Sequence, residues 1–93
     1  MFSLNGKSAI VTGGGSGIGL AISKAFSKQG AHVSILEVDA QAGEKASKEI
    51  NKENGAAESY TCDVSQQAEV KKIFDEITRK QPIDCLINNA GIA

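Results

Sequence analysis

Five glycines fall within the seven residues Gly13-Gly14-Gly15-Ser16-Gly17-Ile18-Gly19, directly after Thr12. Glycines carry no Cβ, so the backbone turns tightly and the first amides of a following helix can come close to an anion that the helix dipole favours. This is the chemistry of gripping a diphosphate, and the Ser16 hydroxyl adds a donor for a phosphate or ribose oxygen. A plain tight turn needs one or two glycines rather than five. The glycines are not spaced at i, i+2 and i+5; Gly17 and Gly19 follow Gly13 at four and six positions. Glu37 stands 18 residues beyond Gly19, where a carboxylate can accept hydrogen bonds from both hydroxyls of an adenosine ribose. A 2′-phosphate at that point would meet like charge, and neither Ser16 nor Val38 brings a cation to neutralise it. The expected cofactor is therefore NAD in preference to NADP.

Two further motifs follow. The Asp63 side chain is placed to reach an adenine amino group, with Val64 flanking the ring. In Asn88-Asn89-Ala90-Gly91 two amides can fix neighbouring backbone, and the small Ala90 and Gly91 let a ribose approach the main chain. Cys62 and Cys85 lack Cys-x-x-Cys spacing and His32 is near neither in sequence, so neither a metal site nor a disulfide scaffold is expected. No Lys-Ser or Lys-Thr follows Gly19, which excludes a P-loop.

The elements that position these residues are legible in the apolar pattern. Ala9-Ile10-Val11 reads as a buried strand, and Ile18, Ala21, Ile22, Ala25 and Phe26 make the stripe of a helix that Gly30 stops. His32–Glu37 is a second strand. Asp39 caps a second helix from Ala40, with Ala42, Ala46 and Ile50 on its core face and its end at Asn54-Gly55. Ala57–Cys62 is a third strand, and Ser65 is expected to cap a helix carrying Val70, Ile73, Phe74 and Ile77 that Pro82 ends. Cys85–Asn88 is the last strand. Alternating strands and helices predict an α/β fold: a doubly wound parallel sheet of about four strands in the order 3-2-1-4, with three helices. The fourth strand would then stand at an edge although it is apolar on both faces, which suggests a missing neighbour and a truncated chain.

The chain has 93 residues, 41% hydrophobic and 23% charged, with a net charge of −1. That suits residues 1–93 as one small, incomplete dinucleotide-binding domain. Without a basic patch or tail, neither nucleic acid nor an anionic membrane is an expected partner. Without a signal h-region or an apolar span of ~18 residues, the expected location is the cytoplasm.

Thr12-Gly13-Gly14-Gly15-Ser16-Gly17-Ile18-Gly19, Glu37, Asp63-Val64 and Asn88-Asn89-Ala90-Gly91 together resemble the short-chain dehydrogenases/reductases, in the subgroup with a Thr-Gly-x-x-x-Gly-x-Gly turn. The resemblance implies a Rossmann-type fold, a bound nicotinamide dinucleotide, and hydride transfer between nicotinamide C4 and an alcohol or carbonyl substrate. It implies cofactor contacts at Gly13, Ser16, Gly17, Ile18, Gly19, Glu37, Asp63, Val64, Asn89, Ala90 and Gly91, with Thr12 and Asn88 in structural support. It also implies an even-numbered homo-oligomer, a dimer or tetramer, for the full-length protein. In that family a serine and a Tyr-x-x-x-Lys pair do the proton chemistry, beyond the Asn-Asn-Ala-Gly turn. Here the sole tyrosine, Tyr60, is followed four residues later by Val64. No catalytic residue is therefore assigned, and the chain alone is expected to be inactive. Two other readings compete: a non-catalytic truncated fragment that binds dinucleotide or another chain, and an S-adenosylmethionine-dependent methyltransferase suggested by Gly13-x-Gly15-x-Gly17. Against the second, Thr12 stands where a carboxylate is wanted.

Overall fold

The computed structural model describes residues 3–89. Four strands and three helices alternate: β1 (Ser8–Thr12), α1 (Gly17–Lys28), β2 (His32–Glu37), α2 (Ala40–Lys52), β3 (Ala56–Thr61), α3 (Gln67–Lys80) and β4 (Cys85–Asn88). The strands form one parallel sheet in the order β3-β2-β1-β4, as the alternation predicts. Every residue of β1 is buried. It pairs on one side with β2, from Ser8 opposite His32 to Thr12 opposite Leu36, and on the other with β4, from Ala9 opposite Cys85 to Thr12 opposite Asn88.

Side chains alternate across the sheet, so each strand feeds two cores. Val11, Val33, Ile35 and Ala57 pack with Ala46 and Ile50 of α2 and with Leu20, Ile22 and Phe26 of α1. Ile10, Leu36 and Cys62 face the other way, onto Ile77, Val70, Ile73 and Phe74 of α3. Ile10, Ile35 and Leu36 are fully buried, and each such side chain contributes about 1.5–3 kcal/mol of transfer free energy. α1 and α2 thus cover one face and α3 the other, as right-handed crossovers require when the connection changes sides of β1.

The helix ends follow local chemistry. The Asp39 carboxylate accepts from the amides of Gln41 and Ala42 at 3.0 and 3.2 Å and caps α2. Past Lys52, Asn54 adopts φ +68°, while its amide reaches Asn51 O and that of Gly55 reaches Ile50 O at 2.9 Å. These paired bonds close the helix in a Schellman motif, with asparagine in the left-handed position. The expected cap of α3 is corrected. Ser65 does not cap it; the residue before the helix is Gln66, without a side-chain bond. Asp63 lies two residues upstream and takes both Ser65 donors on one oxygen, from the amide at 3.0 Å and the hydroxyl at 2.7 Å. The core face of α2 is also turned from the Ala42, Ala46, Ile50 stripe toward Gly43 and Ser47, which are buried with Ala46 and Ile50. α3 stops at Lys80, with Gln81 extended ahead of Pro82. β4 bonds only β1 among the described residues, and Leu86 is half exposed on its α3-side face.

Candidate functional site

The order β3-β2-β1-β4 places the reversal of winding at β1, and an open crevice forms at the carboxyl ends of the strands beside such a point. The glycine turn, Glu37, Asp63-Val64 and Asn88-Asn89 all follow or close strand carboxyl ends.

The turn leaves β1 through Gly13, whose amide donates to Leu36 O at 2.7 Å. Gly13 at φ +65° and Gly17 at φ +55° occupy the left-handed region, which other residues enter at a cost. Gly19 is required for a different reason. A Cβ there would overlap the Gly13 carbonyl oxygen and lie 2.7 Å from Asn89 Nδ2, so α1 meets the turn through a bare Cα. Ser16 occupies the cap position of α1 with extended backbone, yet its side chain makes no cap bond. The first-turn amides of α1 therefore take no acceptor from the Ser16 side chain, which leaves donors at the positive end of the helix dipole.

A web of bonds ties this turn to the end of β4. Thr12 Oγ1 accepts from the Asn89 amide at 3.0 Å and faces Asn88 Oδ1 at 3.2 Å and Ile87 O at 3.4 Å. Asn89 Nδ2 donates to Gly13 O at 3.2 Å. Thr12, Asn88, Asn89, Gly13 and Gly19 are thereby brought together. Ala90 and Gly91 lie outside the described residues.

Glu37 is 9% exposed, and its carboxylate turns back toward the glycine turn. Oε1 accepts from the Gly15 amide at 3.0 Å and Oε2 from the Asp39 amide at 3.3 Å. Spacing alone gave no sign of the Gly15 contact, since the two residues stand 22 positions apart. Gly13, Leu36, Glu37, Val38, Cys62, Asp63 and Val64 surround a cleft of about 230 Å³. Leu36 and Cys62 were not among the sequence candidates, because buried apolar residues of a strand announce only a core. Val38 and Val64 expose 65% and 37% of their surface at the edge of this cleft, an apolar rim suited to a planar ring, and Ile18 at the start of α1 exposes 69%. The Ser65 hydroxyl and amide hold the Asp63 carboxyl below its usual range. Burial, reinforced by Glu69 and Asp63, pushes the Cys62 thiol up, so it stays protonated under the cleft. No group of three or more His, Cys, Asp or Glu among the described residues is arranged to hold a metal. No described helix is long and apolar enough to cross a membrane.

The chain is similar to one enzyme and to two solved dinucleotide complexes among others. D-threitol dehydrogenase from Mycolicibacterium smegmatis is 37% identical over 93 residues, which cover 99% of this chain and 36% of that protein. The solved RhlG/NADP active-site complex of Pseudomonas aeruginosa superposes with a TM-score of 0.89 at 32% identity, over 99% of this chain and 37% of the other. An oxidoreductase from Haemophilus influenza, solved with bound NAD, superposes with a TM-score of 0.89 at 30% identity, over 96% of this chain and 32% of the other. The chain thus spans about a third of the length of these proteins. The family model for short chain dehydrogenase matches residues 7–93, and the chain belongs to that family.

Proposed function

We propose that this chain is the cofactor-binding part of an NAD-dependent oxidoreductase acting on an alcohol or carbonyl substrate. The observation that carries the reading is the union of the glycine turn with a carboxylate, Glu37, held at its rim by the Gly15 and Asp39 amides. The residues fit the group. Bare amides at the start of α1 would hold the diphosphate, and Gly19 lets the turn lie flat against the helix. Glu37 would take the ribose hydroxyls, Val64 and Val38 would flank the adenine, and Asp63 would stand near its amino group. Asn89 would position the nicotinamide-side ribose with Ala90 and Gly91, while Thr12 and Asn88 keep that turn in register with β1. When bound, the nicotinamide ring accepts or gives a hydride at C4.

Preference for NAD rests on charge. A 2′-phosphate beside Glu37 meets a carboxylate with no cation at Ser16 or Val38, whereas two hydroxyls meet two acceptors. The related structures include both NADP and NAD complexes, so the carboxylate and not the family carries this choice. Proton transfer is assigned to groups outside these residues. Tyr60 places its hydroxyl 3.2 Å from Lys80 Nζ, but the two line a different cavity and stand 20 positions apart. The chain alone is expected to bind cofactor without turnover, and cytoplasmic location and an even-numbered oligomer belong to the same proposal.

Calorimetric titration of the folded chain with NAD⁺ and NADP⁺ tests it. Heat with NAD⁺ exceeding that with NADP⁺, and a preference lost in Glu37→Ala, is the expected result. No heat with either dinucleotide overturns the reading.

A further inference from the structure

A second recess lies between the α3 face of the sheet and the carboxyl end of α3, with Ile77 and Gln81 on its α3 side. Its volume is about 120 Å³, and Ser8, His32, Ser34, Glu58, Tyr60 and Lys80 line it. Ser8 and Ser34 are each 1% exposed. Their hydroxyls are the two buried side-chain polar atoms, among the described residues, that find no hydrogen-bond partner in the protein. A buried hydroxyl without a partner costs free energy, and native proteins carry few such groups. Ser34 pairs with Ile10 and Glu58 in register, and Ser8 with His32, so both serines sit on the face that otherwise carries Ile10 and Leu36.

The mouth of the recess determines what can enter. Glu58 offers no uncommitted charge: one carboxylate oxygen lies 3.3 Å from His32 Nε2 and the other 3.2 Å from Lys80 Nζ. Lys80 also bonds the Tyr60 hydroxyl at 3.2 Å and lies 5.6 Å from the centre of that ring. With the ions matched to one another, an ionic guest gains little. What remains on the floor is a pair of hydroxyls, each able to give one hydrogen bond and accept two. Their complement is a neutral group that both donates and accepts at one atom.

We propose that this recess is a binding site for a neutral hydroxylic guest, water or a small polyol, held by Ser8 and Ser34 beneath the Glu58–Lys80 ion pair and the His32 ring. The volume suits about four water molecules at roughly 30 Å³ each, or one three-carbon polyol. The site lies apart from the glycine turn, shares no residue with the cleft beside Glu37, and does not depend on dinucleotide binding.

Nuclear magnetic resonance on the folded chain, with glycerol as the probe, tests this. Water cross-peaks at the Ser8 and Ser34 β-protons with glycerol shifts that stay linear identify solvent as the guest. Saturable glycerol shifts confined to Ser8, His32 and Ser34, weakened about tenfold or more in Ser34→Ala, identify a polyol. Either result supports the site. Absence of both water cross-peaks and saturable shifts in the unmodified protein overturns it, and that measurement does not depend on any variant folding.

Discussion

The Glu37 carboxylate accepts a hydrogen bond from the Gly15 amide, 3.0 Å away, so the strand-end acid and the glycine turn form one unit. A Cβ on Gly15 would lie 2.8 Å from Glu37 Oε1 and 2.9 Å from the Ala42 carbonyl carbon. Gly15→Ala is therefore expected to push Glu37 off its seat and weaken NAD⁺ binding by about tenfold to a hundredfold, the equivalent of roughly 1–3 kcal/mol. Calorimetry on the variant, alongside its thermal unfolding, is the check; an unchanged affinity in a folded variant removes Gly15 from the role.

Gly17 and Gly19 separate two causes of glycine dependence. A Cβ at Gly17 meets nothing within 4 Å, so Gly17→Ala is charged only for its φ of +55°, about 1–2 kcal/mol. Gly19→Ala must displace the Gly13 carbonyl and is expected to cost roughly 1–3 kcal/mol of overpacking and to disrupt the turn itself. Urea unfolding and dinucleotide titration should both rank Gly19→Ala as the more damaging change. The opposite ranking would deny that the close approach matters.

Thr12→Val keeps the shape of the side chain and removes the acceptor of the Asn89 amide. Leaving that part-buried donor without its partner is expected to cost about 1–3 kcal/mol. Hydrogen exchange at Asn89 should speed up selectively, while the amides of β2 keep their protection. Uniform acceleration across the sheet would mean that Thr12 serves general packing instead.

Asp39→Ala removes the α2 cap and is expected to destabilise by about 1 kcal/mol. Ser65→Ala changes an exposed turn whose hydroxyl bonds Asp63 and not α3, so its effect is expected within about 0.5 kcal/mol. Equal losses in chemical denaturation would restore Ser65 as a cap.

Lys80 holds the Glu58 carboxyl below its ordinary value of 4.5 by hydrogen bond and charge, with His32 adding to it against the cost of partial burial. A carboxylate whose pKa falls on folding contributes stability above its unfolded pKa, and this is lost as pH drops through the folded value. Wild-type stability should therefore decline below about pH 4.5, and Glu58→Gln should decline less over that window. Parallel curves for the two proteins would show that the pair contributes nothing measurable, as many surface ion pairs do.

The sheet order was legible because Ala9-Ile10-Val11 and Cys85-Leu86-Ile87 are apolar on both faces while the helices carry stripes, and two such periods in alternation admit few topologies. The cap at Asp39 was legible for the same local reason. Ser65 misled because a serine before a helix is a common cap, and the competing acceptor, Asp63, acts through a turn that residue types do not rank. The burial of Gly43 and Ser47 depends on α2 lying close to Glu37 and Ser59, with Cβ-position approaches of 3.2 and 3.3 Å at Gly43, which is tertiary information. In the site, glycine count and the register of Glu37 were visible. The Gly15 contact, the Asn89 bond to Gly13 O and the two serines beneath α3 were not, since each joins residues far apart in the chain.

β1 precedes the other three strands in sequence and is paired on both sides, and this bears on how the molecule is assembled. Ser8 and its partner Asp84 stand 76 positions apart. As the polypeptide leaves the ribosome, β2 can zip onto one side of Ser8–Thr12 early, but the opposite side stays bare until the segment ending at Asn88 emerges. For that interval an apolar strand presents unsatisfied amides and carbonyls, a template on which nascent neighbours can pair. The pairing of β1 on both sides is therefore complete only once residue 88 is available.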